Sequence, residues 1–424
     1  MKDLNGLFAF IKKSPTAYHA VDSIKRELLL DGYTELFDAH EWKLCDGGKY
    51  FVAKNGSSII AFRYNASANG FMICASHSDS PAFRVKSADS DNRDYARLSV
   101  EKYGGMICYS WLDRPLSIAG RAVVRTENGI KTELFNIDRD IAIIPSLSIH
   151  MNRGVNDGYK FNPAVDLLPI IGSSDSANSL LNEIGKCVGA DSENIISTDS
   201  FLYNRDDGRV LGLRDEYISA PRLDDLECVY ASLTAFLSAD DTDSIPVLAV
   251  FDNEEVGSET KQGAASTFLS DVLSSVVGDK YKVMLNSSFM ISADNAHAIH
   301  PNHPELSDKK NAPKINGGVV IKWNANQRYA TDAVSDAIFK EIVVKSNVKT
   351  QDYYNRADMP GGSTLGSISN TRVSIPTIDI GLPQLAMHSA YETAGADDVF
   401  ELIKALRAFF GSSIVRVGDN VTIK

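Results

Sequence analysis

No Cys-x-x-Cys pair occurs in this sequence; its five cysteines, Cys45, Cys74, Cys108, Cys187 and Cys228, are odd in number and far apart. That spacing argues against thiolate zinc and against a disulfide framework, so a reducing, cytoplasmic setting is expected. Long hydrophobic runs are missing too. The apolar stretch Leu7 to Ile11 is cut by Lys12, Lys13 and Pro15, which rules it out as a signal-peptide core, and no later run reaches the roughly 20 residues that span a bilayer. Basic charge is scarce: 43 Lys and Arg face 55 Asp and Glu, for a formal net charge of -12. Such a field repels phosphate backbones and anionic lipid, so neither nucleic acid nor a membrane is an expected partner. Internal repeats and low-complexity tracts are also absent.

What remains is a chain of 424 residues, 44% hydrophobic, long enough to bury a large core and to divide into two domains. Leu7, Phe8, Ile11, then Ala17, Ala20, Val21, Ile24 and Leu28 recur at helical spacing, which predicts two N-terminal helices broken near Ser14 and Pro15. Two alternating segments, 49–53 and 58–64, joined through Asn55 and Gly56, predict a hairpin. The short apolar run 70–76 suits a strand buried on both faces, with His77 and Asp79 emerging where open α/β sheets place their ligand sites. From about Arg84 to Ser219 the text changes to short β-prone pieces with polar loops, the pattern of an inserted β-rich domain. After Pro221, predicted helices (224–237, 332–345, 397–410) alternate with apolar strands (245–251, 289–293, 319–323, 375–380). The expected fold is therefore α/β, with a first part over 1–84, an insert over 85–219 and a second part over 220–424.

Chemistry gathers at the strand ends. His77-Ser78-Asp79, Asp252-Asn253-Glu254-Glu255, Asp294-Asn295-Ala296-His297 and Met387-His388-Ser389 each follow a predicted strand or junction, and Asp224-Asp225 opens a predicted helix. Carboxylates and imidazoles without thiolates suit zinc, manganese or cobalt in a hydrolytic site, and two histidines with three carboxylates suffice for two ions if one carboxylate bridges. Asp224 and Asp225 have a plainer use as helix N-caps. Adjacent Glu254 and Glu255 beside a buried strand are harder to dismiss, because unpaired carboxylates there are costly; one as ligand and its neighbour as base answers that cost. His297, His300 and His303 surround two prolines in a loop and read as loop packing or as support behind the metal ligands rather than as a second metal cluster. Gly361-Gly362-Ser363 lacks the Lys-Ser/Thr of a P-loop and reads as a tight turn or a close backbone approach to a ligand.

The segments ASHSDSPAFRVK (75–86), IPSLSIHMNR (144–153), APRLDDL (220–226), VFDNEEVGS (250–258), SADNAHAIHPNHPE (292–305), IKWNANQRYATD (321–332) and LAMHSAYETAG (385–395) together resemble the aspartyl aminopeptidase family, which includes vacuolar aminopeptidase I. The resemblance runs in the same order across nearly the whole chain. It implies a metallopeptidase domain with a mixed central sheet flanked by helices, interrupted by a β-rich dimerisation domain, and subunits assembled through dimers into a tetrahedral homododecamer. It further implies a two-metal aminopeptidase, most simply with zinc, acting on peptides with N-terminal Asp or Glu, although vacuolar aminopeptidase I prefers neutral residues. By the same resemblance Asp224 bridges two metals, His77 and Asp294 complete one, Glu255 and His388 complete the other, and Glu254 is the general base. Asp79 would orient His77, His150 would reach a neighbouring subunit's active site, and Lys322 and Tyr329 would lie in the substrate-binding segment. The competing readings are a di-metal deacylase or a neutral-specific aminopeptidase on the same scaffold, and a noncatalytic binding protein that keeps the fold.

Overall fold

A computed structural model describes residues 4–38, 40–90 and 94–424. Helices Asn5–Lys13 and Ala17–Leu30 break at Ser14 and Pro15 and turn Leu7, Ile11, Ala20, Val21, Ile24 and Leu28 inward. Pro15 supplies no N–H to continue the first helix. Strands Lys49–Lys54 and Ser58–Arg63 form the expected hairpin, turning through Asn55 and Gly56, both at positive φ.

These strands enter a nine-stranded mixed sheet in the order Thr34–Leu36, Lys49–Lys54, Ser58–Arg63, Ile245–Phe251, Phe71–His77, Phe289–Ala293, Thr377–Gly381, Val319–Trp323 and Thr350–Tyr354. Its centre is parallel: Phe71–His77 lies between Ile245–Phe251 and Phe289–Ala293, and Thr377–Gly381 follows. Every residue of these four strands is buried, which explains why they read as continuous apolar runs instead of alternating ones. Helices Leu223–Ser238, Ala333–Val344 and Asp398–Phe410 share one core cluster with Met72, Cys74, Leu248 and Ile291. Helix Phe268–Val277 shares the other with Ile73, Ala75, Val247 and Ala249, the alternate residues of the same strands. The sheet is thus covered on both faces, and its free end is the edge where the parallel strands stop.

A second sheet is antiparallel throughout, in the order Gly129–Asn136, Leu116–Thr126, Ile195–Asn204, Ala82–Ser90, Tyr95–Tyr103 and Ile170–Ser173. It has a separate core that includes Phe83, Leu98, Ile118, Phe135 and Leu202. Strands Arg209–Leu211 and Tyr217–Ala220 belong to neither sheet. They join a five-stranded sheet with Glu392–Gly395, Pro383–Leu385 and Ala296–His297. Among the described residues no helix is long and apolar enough to cross a membrane.

Candidate metal centre

The carboxyl ends of the parallel strands bring the predicted acids and imidazoles together. His77 is the last residue of its strand and pairs in register with Phe251, so the chain leaving Phe251 runs directly beside it. Asn253, at φ 63°, turns that chain into the short helical turn Glu254–Val256. Asp294 follows strand Phe289–Ala293, its N–H donating to the Ile380 carbonyl at 3.0 Å. His388 sits between paired strands Pro383–Leu385 and Glu392–Gly395 with a left-handed backbone, φ 68°. Asp224 lies in the entry of helix Leu223–Ser238, where Asp224 and Asp225 depart from helical φ/ψ and no side chain caps the helix. The N-cap use of these two aspartates is therefore not realised.

Asp224 is the hub of the cluster. Its Oδ1 lies 3.4 Å from Nε2 of His77, and its Oδ2 lies 3.5 Å from Nε2 of His388. Nε2 of His388 is also 3.4 Å from Oε2 of Glu255. Ligand-capable atoms of His77, Asp224, Asp225 and Asp294 fall within 4.8 Å of one another, as do those of His77, Glu254 and Glu255 and those of Asp224, Glu255 and His388. Among the described residues these are all the groupings of three or more such side chains. His300 and His303, with ring centroids 5.4 Å apart, belong to none of them.

The second ring nitrogens are held from behind. Nδ1 of His77 contacts the Asp79 carbonyl at 3.0 Å, with the Asp79 carboxylate at 3.4 Å. That carboxylate is mainly engaged elsewhere, accepting the N–H groups of Glu254 and Glu255 at 3.2 Å each and the Tyr103 hydroxyl at 2.6 Å. Asp79 therefore ties the His77 strand end to the Glu254-Glu255 turn. Nδ1 of His388 meets the Gly105 carbonyl at 2.7 Å. Both contacts fix ring orientation and leave Nε2 facing the cluster.

So many acids in one buried place perturb each other. Burial pushes the Glu254 carboxyl up to about 8, with Asp294, Asp79 and Asp224 adding to the rise. Glu255 goes well above the ordinary range through burial and the neighbouring Asp224, and Asp225 rises through burial. Burial alone would lower His388, but Asp224 and Glu255 raise it to about 10. His77 behaves likewise, with Asp225 and Asp224 overcoming its burial. Despite burial, Asp224 is held low by His388 and His77. Asp224 Oδ1, Asp225 Oδ1 and Glu255 Oε1 are buried without a hydrogen-bond partner. Crowded anions with orphaned oxygens and two imidazoles of fixed orientation need positive charge, and an oxygen and nitrogen donor set without thiolate fits divalent zinc.

A cleft of about 630 Å³ opens on the cluster, lined by Asp224, Glu254, Asp294 and His388 and by Lys322, Tyr329, Tyr353, His297 and the Gly362–Thr364 segment. Lys322 is 3% exposed, its Nζ 3.7 Å from Oδ1 of Asp294 and 5.6 Å from the centre of the Tyr329 ring. Gly362 and Ser363 border the cleft. His150 does not line this cleft. It lies on an exposed segment of the residue 82–204 region, between Ile149 and Met151, which are 50% and 78% exposed.

Sequence reasoning gave Asp225 no role in the site and did not single out Glu392, Tyr103 or Gly105. Asp225 accepts the His77 N–H at 3.1 Å, and Glu392 accepts the N–H groups of both Asp224 and His388. The Gly105 contribution is a carbonyl, which leaves no trace in residue type. Asp225 was visible as the neighbour of Asp224 but carried no pattern of its own.

Residues 10–410 match the family described as aminopeptidase I zinc metalloprotease (M18). A probable M18 family aminopeptidase 2 from Clostridium acetobutylicum is 46% identical over 421 residues, covering 95% of this chain and 97% of that protein. A protein of the same description from Pseudomonas paraeruginosa is 39% identical over 420 residues, covering 96% and 98%. Among solved structures, a cryo-EM structure of the Ape4 and Nbr1 complex superposes with a TM-score of 0.91 at 34% identity, covering 96% of this chain and 84% of the matched one. An S. cerevisiae mApe1 dodecamer gives 0.83 at 27%, covering 96% and 95%, and an M18 aminopeptidase from Thermotoga maritima gives 0.84 at 26%, covering 95% and 94%.

Proposed function

The chain belongs to the M18 family of aminopeptidase I zinc metalloproteases, hydrolases of N-terminal residues, and from that premise we propose that it is a two-metal enzyme favouring peptides with N-terminal Asp or Glu. The observation that carries this reading is the hub: the two oxygens of one carboxylate, Asp224, each face a different imidazole. In this reading His77, Asp294 and Asp224 hold one ion, and Glu255, His388 and Asp224 hold the other. Zinc is the family's metal, and manganese or cobalt suits the same donors.

What a bound pair of divalent ions supplies is acidity to a water molecule and charge to offset a developing oxyanion. The protein's own residues do the rest. Glu254, next in sequence to a ligand and bordering the cleft, takes the proton of the attacking water and passes it to the leaving amine. Asp79 holds the Glu254 amide and so sets where that carboxylate can point. The carboxylates of the cluster offer acceptors to a free α-amine, which makes the reaction an exopeptidase cleavage. Lys322 and Tyr329 line the cleft beside Asp294 and would give a substrate carboxylate a charged and a hydroxyl partner.

His150 is read as acting in a neighbouring subunit of a homododecamer, the assembly solved for S. cerevisiae mApe1, with a tetrahedral arrangement as the proposal for this chain. The proposed division of the chain is 1–84, 85–219 and 220–424, and the proposed setting is the cytoplasm, in keeping with five free cysteines. The test is release of the first residue from Asp-, Glu- and Leu-initiated peptides, free and N-acetylated, with metal counted in the same preparation. Two ions per subunit and cleavage of free, acidic N-termini are expected. Cleavage of acetylated peptides would move the assignment to a deacylase or endopeptidase.

One observation favours a second reading of specificity. The Lys322 charge is already shared with Asp294 at 3.7 Å. A lysine committed to the cluster would leave the pocket neutral, and Leu-initiated peptides would then be the better substrates.

A further inference from the structure

Two of the three candidate ligands on the His388 side of the cluster, Asp224 and His388, have backbones that break the regular structure around them. Asp224, at φ -80° and ψ 109°, is extended at a helix entry, two residues after Arg222, which is left-handed at φ 58°. His388 is left-handed at φ 68°, two residues after Ala386 at φ 55°. Side chains with a Cβ rarely adopt that region unless the surroundings hold them there. Both backbones are held by the same group. Oε2 of Glu392 accepts the Asp224 N–H at 3.0 Å, and Oε1 accepts the His388 N–H at 2.7 Å. Glu392 is 2% exposed and opens strand Glu392–Gly395, paired on one side with Tyr217–Ala220 and on the other with Pro383–Leu385. A rigid sheet thus carries the acceptor, while the insert's Gly105 carbonyl fixes the His388 ring.

Resting on the two-metal reading above, we propose that Glu392 is a positioning residue: one buried carboxylate clamps the backbones of Asp224 and His388 and thereby sets how tightly the metal between them binds. A carboxylate is suited to this because it offers two acceptor oxygens and no donor when ionised. Glutamine has nearly the same shape but turns an NH2 toward one of the two amides, so Glu392→Gln removes half of the clamp. Aspartate is shorter by one methylene and cannot span both amides. A merely structural glutamate, present to satisfy two buried N–H groups, would alter folding stability without favouring one metal over the other.

Zinc titration of the metal-free protein against a competing chelator separates these roles, with the melting midpoint of the metal-free protein read alongside. Wild type is expected to bind two zinc ions. Glu392→Gln is expected to weaken the ion that Asp224 and His388 share about 10- to 100-fold, the usual effect of losing a partner that orients a ligand, and to weaken the other, which depends on Asp224 alone among the clamped residues, by less. Both dissociation constants within twofold of wild type would overturn the proposal, whatever the melting midpoint does. Wild type binding fewer than two ions would instead overturn the two-metal reading on which it rests. If the variant does not fold, single-amide hydrogen exchange on metal-free wild type gives the answer. Slow exchange at both Asp224 and His388 supports a clamp made by the protein, and fast exchange at either overturns it.

Discussion

The parallel centre of the large sheet and the antiparallel sheet of residues 82–204 solve different problems. The four central parallel strands are buried on both faces and three of them end at candidate metal ligands, so their sequence is spent on core and their chemistry is confined to one edge. The antiparallel sheet has its own core and supplies no candidate metal ligand. It reaches the site through Gly105, which holds His388, and through Tyr103, which holds Asp79. Its loops leave Leu147, Ile149, Met151 and Val165 at least half exposed. In our reading the first region makes the reaction possible and the second makes it depend on correct assembly.

The sharpest way to break that division is at the hub. Asp224→Ala should lose both ions and lower turnover by about 10,000-fold or more, since one carboxylate serves two cations. Two tightly held metals in that variant, by elemental analysis, would end the bridging assignment. The insert's part is tested by mixing. His150→Ala alone should cost about 100- to 1,000-fold, the scale of a lost oxyanion donor, and co-assembly with Glu254→Gln subunits should restore part of the activity. Mixed oligomers verified by mass that stay inactive would return His150 to a packing role. Lys322→Met should reduce turnover of Asp- and Glu-initiated peptides about 10- to 100-fold more than that of Leu-initiated ones; an equal loss on all three favours the neutral-pocket reading.

An effect on stability rather than on turnover lies away from the site. Burial lowers the His19 imidazole from 6.5 to about 4, beside the Thr16 hydroxyl at 2.9 Å. A histidine harder to protonate when folded contributes fully above its unfolded value, and that contribution is lost as pH falls from about 6.5 to 4. Its loss there is worth up to about 3 kcal/mol. His19→Gln should flatten denaturant-measured stability across that window, and an unchanged pH slope would show that the imidazole titrates freely.

How much of this was legible follows from the same contrast. The runs before His77, Glu254 and Asp294 announce strands because burial on both faces demands continuous apolar residues, and polar residues that end such runs must have a use. The helix expected at 332–345 is observed as Ala333–Val344, with Asp332 and Ser335 forming a capping box at its start. The strand expected at 375–380 begins at Thr377, since Pro376 has no N–H for the ladder. The edge strand Thr350–Tyr354 and helix Phe268–Val277 were not assigned at all. The span expected for the insert, 85–219, takes in strands 209–211 and 217–220, which pair toward Glu392–Gly395. Sheet membership there depends on a partner some 170 residues away, as residue type alone does not reveal. The same holds for Glu392 and the Gly105 carbonyl, whose partners are backbone groups brought near by the fold.

The central claim is that Glu254 moves a proton and binds no metal, while its neighbour Glu255 is a ligand. Purified Glu254→Gln, assayed for turnover and metal content together, tests it directly. Two ions per subunit and a rate lowered by about 100-fold or more are expected. Loss of the metals, or turnover near wild type with both ions in place, would contradict it.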